Sequence, residues 1–581
     1  MSEATSKLPH SRIQLLVKLV FVVVAIFVAR LFYMQIIEHE KYVSLAVKEQ
    51  VKSLVIHAKR GEIYAMDGTT PVKMVLNEGV FTVFVDPVDV DQPNEIVKAI
   101  HSVAGGEAVE GIEELVRAKP SRYKIVAKNI SNKQASILKS KNLRGLGFQP
   151  TTRRVYPEGK LAAQTLGFVN AEEKGQYGIE EGLDGELRGK DGILKSVTDV
   201  RNVPLSIGGQ NTRIPSEDGK NVVLTLDRNI QSYTEKALAS QLRKIGASAG
   251  SVLVMDPNNG HVLAMANSPT YNPEKFTTVK NPAAFNNATV TSPYEPASVM
   301  KTYSMAMAVD KGIMTPQTTY VNNDYIKVDD RTIENAFKGI RGTISMQTAL
   351  NNSLNTATVT LLERLGGGSR ITYDARKTMY NYYHDKFGLG ERTGIEVAGE
   401  AKGQVISPDE VEGNAVRYAN MTFGQGLEVT MMQVSAGFCS IINGGSYYKP
   451  TIVGGYVDAN DVFKKKANPS SEQKTISAST SRTMRKMLYD ARRTTSPGID
   501  KKGYEVGGKT GTAQTIVNGK YNSGQTVATY LGYGGDSKPR YVIMVQVSGP
   551  GKNYEGGIHA RPIFTDISNW MIDYMKLEPK G

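Results

Sequence analysis

At 581 residues the chain exceeds one ordinary hydrophobic core, and domains of roughly 100 to 200 residues imply about three units or two large ones. Its 40% hydrophobic and 22% charged residues are the composition of a folded protein, which excludes a chain dominated by disorder. The net charge of +13, from 70 Lys plus Arg against 57 Asp plus Glu, is dispersed, with no basic stripe interleaved with aromatics and no zinc-finger or RNA-recognition spacing, so a nucleic-acid partner is not expected.

The first element is a membrane span. Apolar residues run without interruption from Leu19 to Ala29, and the window 13–37 reaches the roughly 20 residues a bilayer requires once Lys18 and Arg30 snorkel to the headgroups. Lys7, Arg12 and Lys18 precede or open it, whereas Glu38, His39, Glu40 and Lys41 follow, so the positive-inside bias keeps the N-terminus cytoplasmic. The helical pattern continues through "RLFYMQI", which favours a retained anchor over a cleaved signal peptide.

From Glu38 to about Leu224 the chain is mixed and Gly-punctuated, with strands such as "FTVFV" at 81–85. A boundary is expected near Asn221, where "NVVLTLD" predicts a strand, Asp227 a helix N-cap, and the following residues an amphipathic helix. "GSVLVMDPNNGHVLAMANSP" predicts a hairpin. Helices dominate the middle, and strands return at "TVATYLGYG" and "RYVIMVQVSG". Strands at both ends with helices between predict a multidomain α+β chain whose second unit holds one antiparallel sheet assembled from distant segments and flanked by helices. The lone Cys439, in "SAGFCSIINGG", reads as a buried small side chain. The seven histidines form no metal-binding pattern, so neither a metal nor another cofactor is expected.

Within "SPYEPASVMKTYSMAMAVDKG" (292–312), Ser298 stands three places before Lys301, and residues three apart share a helix face. That is the geometry of a nucleophile and its base, although S-x-x-K alone is a common accident. Two further patterns follow in order: Ser353-Leu354-Asn355, and Lys509-Thr510-Gly511-Thr512 leading into the C-terminal strands. Together the three form the signature of serine enzymes that acylate on penicillins. Ser298 requires a base within reach, and Lys301 serves only if held neutral by burial or by a second cation, which Lys509 can supply.

With these motifs the chain resembles a class B penicillin-binding protein over essentially its whole length. The resemblance is also carried by "RLFYMQI", "KRGEIYAMDG" (59–68), "RRVYPEGKLAAQTLGFV" (153–169), "GIEEGLDGELRGKDG" (178–192), "TLDRNIQ" (225–231), "FGLGERTGIEVAGEAKG", "FGQGLEVTMMQ" and "NGGSYYKP". It implies a cytoplasmic tail at 1–12, an anchor at 13–37, an elongated mixed pedestal of the dimerisation type at 38–220 and a transpeptidase domain at 221–577. It implies a serine-type D-Ala-D-Ala transpeptidase that crosslinks peptidoglycan stem peptides outside the bacterial cytoplasmic membrane and is acylated by β-lactams. Ser298 would be the nucleophile, Lys301 the base, Ser353 a proton relay and Asn355 a support for Lys301 and a substrate amide. Lys509, Thr510, Gly511 and Thr512 would bind substrate, and the backbone N–H groups of Ser298 and Thr512 would hold the oxyanion. No glycosyltransferase domain precedes the pedestal, so a polytopic glycan polymerase and other divisome membrane proteins are implied as partners. Length and pedestal look most like the septal, division-specific branch; the elongation branch and a silent scaffold or sensor are the alternatives. Three departures from the family pattern are Ala297, where glycine is usual, "YAMDG" (64–68), which lacks the usual Asp-Arg-Asn run, and Arg561 in "GGIHARPIF", where small residues are common.

Overall fold

The computed structural model describes residues 10–42, 51–197, 212–517 and 520–580, so residues 1–9 of the expected tail lie outside the described residues. The chain divides into two compact units, Met1–Lys59 with Gly189–Gly219, and Arg60–Arg188 with Lys220–Gly581.

The first unit opens with the helix His10–Phe32, continued by the wider turn Tyr33–Ile37, and this span is long and apolar enough to cross a bilayer. Its described side chains are almost all exposed, as an all-apolar surface requires when lipid is its solvent. The unit also holds a three-stranded antiparallel sheet in which Val51–Ile56 and Thr212–Ile214 flank Gly192–Val197. Asp191 fixes one end by accepting from the Ala58 backbone N–H at 2.8 Å.

The second unit contains two large sheets. In the seven-stranded sheet, Asn221–Asp227 lies parallel to Ile63–Asp67 on one side and antiparallel to Val453–Val457 on the other. Segments from both sides of Asn221 therefore share one sheet. The long strand Thr70–Val85 pairs with Lys124–Ser131 and Leu146–Val155, and Ile96, Ile100, Val126, Ile130 and Leu138 bury a small core against it. Near this sheet Glu180, fully buried, accepts from Arg60 Nε and Arg154 Nε, each at 2.7 Å, while Arg60 also pairs with Asp184 at 2.7 Å.

The five-stranded sheet is wholly antiparallel, in the order Val262–Ser268, Ala249–Met255, Pro539–Ser548, Lys520–Gly535, Glu505–Val517. Its two-residue period sends Val252, Val254, Ile543 and Val545 into a core shared with Ile230, Leu238, Phe564 and Ile567. The intervening Leu253, Met255, Val542 and Met544 face a larger core containing Met300, Tyr303, Phe438 and Met487. Helices thus cover both faces, as the sequence predicts. Asp227 caps the helix Arg228–Ile245 through the N–H groups of Asn229 and Ile230, and Cys439 is buried.

Candidate active site

The nucleophile turn owes its shape to two backbone choices. Pro296 enters, Ala297 adopts φ +56°, and a tight turn over Ala297–Met300 runs into the helix Lys301–Asp310. An alanine in the left-handed region is strained by about 1–2 kcal/mol, and the surroundings enforce it. The Ala297 N–H donates to the Gly424 carbonyl at 3.1 Å, and Gly424, at φ +86°, leaves no room for a side chain because a Cβ there would stand 2.1 Å from the Ala297 oxygen.

Buried nearly all round, the helix Lys301–Asp310 holds Lys301 at zero exposure while Ser298 stays half-buried. Lys301 Nζ lies 2.9 Å from Ser298 Oγ, 2.6 Å from the Ser353 carbonyl and 3.1 Å from Ser353 Oγ. Ser353 reaches this point at φ +56°, in the turn between the helices Met346–Asn351 and Asn355–Leu365. Lys509, also buried, donates to Ser353 Oγ at 2.9 Å and to the Thr510 carbonyl at 2.9 Å. Burial, then the neighbouring Lys509 charge, holds Lys301 well below a lysine's ordinary range, and burial pushes Lys509 down to about 7. Lys301, the amine that touches the Ser298 hydroxyl, is the one placed to be a base.

Lys509, Thr510, Gly511 and Thr512 lie on Glu505–Val517, the free edge of the sheet, close against the nucleophile turn. Gly511 permits that approach, since a Cβ would fall 2.3 Å from Thr529 Oγ1 and 3.0 Å from the Pro296 carbonyl. Thr512 Oγ1 accepts from the Gly556 N–H at 3.1 Å, which leaves its own proton available to an anion. Asn355, the first residue of its helix, donates its amide N–H to the carbonyl of Glu334, at the end of the strand Arg331–Glu334, at 2.8 Å.

A cavity of about 200 Å³ opens along this edge, lined by Lys509, Thr510 and Thr512 together with Asn351, Phe337, Glu555 and Arg561. The last four do not belong to the three motifs. Arg561 was visible in the sequence only as a cation among small residues, and Glu555 carried no signal. Among the described residues no cluster of His, Cys, Asp and Glu could hold a metal ion.

A hydroxyl beside a buried amine, with a second amine and two threonines on a sheet edge, is the arrangement a serine acyltransferase requires. Residues 250–569 match the penicillin binding protein transpeptidase domain and residues 55–224 the penicillin-binding protein dimerisation domain. Over 578 residues, 98% of this chain and 87% of the relative, the chain is 30% identical to stage V sporulation protein D of Bacillus subtilis. It is 31% identical to the penicillin-binding protein PbpB of Mycobacterium tuberculosis over 74% of this chain and 63% of that one, and 25% identical to the probable peptidoglycan D,D-transpeptidase PenA of Neisseria gonorrhoeae over 98% and 94%. A solved structure of penicillin binding protein 3 from M. tuberculosis complexed with aztreonam shares the fold, with a TM-score of 0.68 at 24% identity over 91% of this chain and 98% of that one. The chain belongs to the class B penicillin-binding proteins and is a peptidoglycan D,D-transpeptidase of that type.

Proposed function

We propose that Ser298 is the acylating nucleophile and Lys301 its base in a membrane-anchored, septal D,D-transpeptidase. The observation that carries this reading is the 2.9 Å approach of a fully buried, depressed-pKa lysine to the serine hydroxyl. Neutral Lys301 takes the Ser298 proton as Oγ attacks the carbonyl of the D-Ala-D-Ala peptide bond. The backbone N–H groups of Ser298 and Thr512 receive the developing oxyanion. The proton passes by way of Ser353, which touches both lysines, to the leaving amine, and the terminal D-Ala departs. An amine on a neighbouring stem peptide then attacks the acyl-enzyme and the same groups run in reverse. Thr510, Thr512 and Lys509 hold the substrate carboxylate, Gly511 lets the strand close on the turn, and Asn355 supports Lys301 and a substrate amide. A β-lactam acylates the same serine.

In this reading residues 1–12 are cytoplasmic, 13–37 span the membrane, and the pedestal (38–220) and transpeptidase domain (221–577) lie outside, where a polytopic glycan polymerase and other divisome proteins supply the strands. Likeness to the stage V sporulation protein over 98% of the chain favours wall synthesis in sporulation as a second reading. Ser298→Ala is expected to leave a folded, membrane-bound protein that no longer crosslinks; crosslinking by that variant overturns the proposal. A fluorescent fusion concentrating at the division septum supports the septal role, whereas recruitment only in sporulating cells or along the lateral wall contradicts it.

A further inference from the structure

We infer that Arg561 is a second cationic anchor for the carboxylate of the acyl donor, making the enzyme selective for peptides and β-lactams that carry a free carboxylate. The inference rests on the transpeptidase reading above and concerns a residue outside the three motifs.

Arg561 opens the last helix, Arg561–Tyr574, and its side chain lines the same cavity as Lys509, Thr510 and Thr512. A Cβ built on Gly557 would lie 3.9 Å from Thr510 Cγ2 and 4.0 Å from Arg561 Nη1, so the threonine and the guanidinium flank one point of the cavity wall. Among the described residues its hydrogen bonds run from Nη1 alone, to Ser496 Oγ at 2.5 Å and to the Thr495 carbonyl at 3.5 Å, and no carboxylate forms an ion pair with it. Those two partners close the helix Ala478–Thr495, whose C-terminal dipole favours a cation. The guanidinium is thus fixed by one nitrogen, with Nε and Nη2 left to donate as a planar fork, the geometry that matches a carboxylate.

Arg492, on the same helix, shows the opposite case. Its guanidinium is fully buried and satisfied by Asp500 at 2.7 and 2.6 Å, Tyr530 Oη at 2.6 Å and Thr565 Oγ1 at 2.9 Å. That arginine is structural; Arg561 is half-exposed and lines the groove, where Glu555, the one carboxylate of the lining, forms no ion pair with it. The chemistry of the groove also needs it. Lys509, pushed to about 7, carries only part of its charge at neutral pH, while an arginine is charged throughout the accessible range.

The test compares second-order acylation of the full-length protein by a penicillin and by its carboxylate methyl ester. Arg561→Gln keeps a donor for Ser496 and removes the charge, and Arg561→Lys keeps the charge without the fork. With the free acid, Arg561→Gln is expected to be slower by about ten- to a hundredfold and Arg561→Lys by less, whereas the ester reacts within about twofold of wild type in both. Equal slowing of acid and ester, with or without a fall in melting temperature, would assign Arg561 only to clamping the helix end. An unchanged rate with the acid would also overturn the inference. Absence of a Ser298 adduct in the wild-type protein is the separate result that would remove the underlying reading.

Discussion

Lys301 and Lys509 meet at one hydroxyl: Ser353 Oγ lies 3.1 Å from the first amine and 2.9 Å from the second. Two ammonium groups that close, both buried, cannot both stay charged at neutral pH. The first consequence is a bell-shaped pH profile for kcat/KM of acylation. The rate rises as Lys301 loses its proton, at a pH held well below a lysine's ordinary range, and falls above about 7 as Lys509 loses its own. Lys509→Met removes the repelling charge, so the acid limb should move to higher pH and the alkaline limb should vanish. An acid limb that stays in place would show that Lys509 does not set the Lys301 proton.

Stability follows from the same shifts. The folded pKa of Lys509 is depressed to about 7 from an ordinary 10.5, so between these values the unfolded chain binds more protons and stability rises with pH. The penalty is full below about 7 and gone above 10.5. Lys509→Met should therefore unfold at higher denaturant than wild type at pH 7, by on the order of 2 kcal/mol, with the gain shrinking toward pH 10.5. Denaturant titrations at several pH values measure it, and a pH-independent difference would contradict it.

The nucleophile turn is held from beneath. Gly424→Ala would place a Cβ 2.1 Å from the Ala297 carbonyl at φ +86°, so a loss of about 2 to 4 kcal/mol in unfolding free energy is expected. Penicillin acylation should fall at least tenfold as the Ser298 turn shifts. Ala297→Gly, at φ +56°, relieves strain while loosening the unfolded chain, for a net gain of about 0.5 kcal/mol and acylation within twofold of wild type. Calorimetry and acylation rates check both variants.

Away from the chemistry, the Glu180 carboxylate accepts from both Arg60 and Arg154 with no exposure of its own. Glu180→Gln leaves the buried Arg154 without its counter-charge and Arg60 with Asp184 alone, and a loss of about 3 to 5 kcal/mol is expected. Limited proteolysis should then cut within residues 60–188 first. Unchanged protease resistance would show that the network does not hold that segment.

These particulars also show what the chain discloses before it folds. Ser298 and Lys301 were legible because residues three apart meet by local geometry, here across the tight turn Ala297–Met300 that leads into the helix. The hairpin around Asp256–Asn258 and the Asp227 cap were legible for the same reason, as turn and cap chemistry act within a few residues. Ser353 needed a left-handed backbone that no local pattern announces, and Asn355 turned to the Glu334 carbonyl because the strand Arg331–Glu334 packs against its helix. Arg60, Arg154 and Glu180 lay in three stretches that marked the family, yet their meeting joins positions 120 and 26 residues apart, beyond any local pattern. Arg561 stood out as a charge among small residues, but only the packing of the last helix beside the sheet edge puts it in the groove.

The central claim is that Ser298, activated by Lys301, forms the acyl-enzyme. Intact mass after brief exposure to a penicillin, with peptide mapping and a Ser298→Ala control, tests it most directly. A single stable adduct confined to Ser298 and missing from the variant is the predicted result. No adduct in the wild type, or one equally present in Ser298→Ala, would contradict the account.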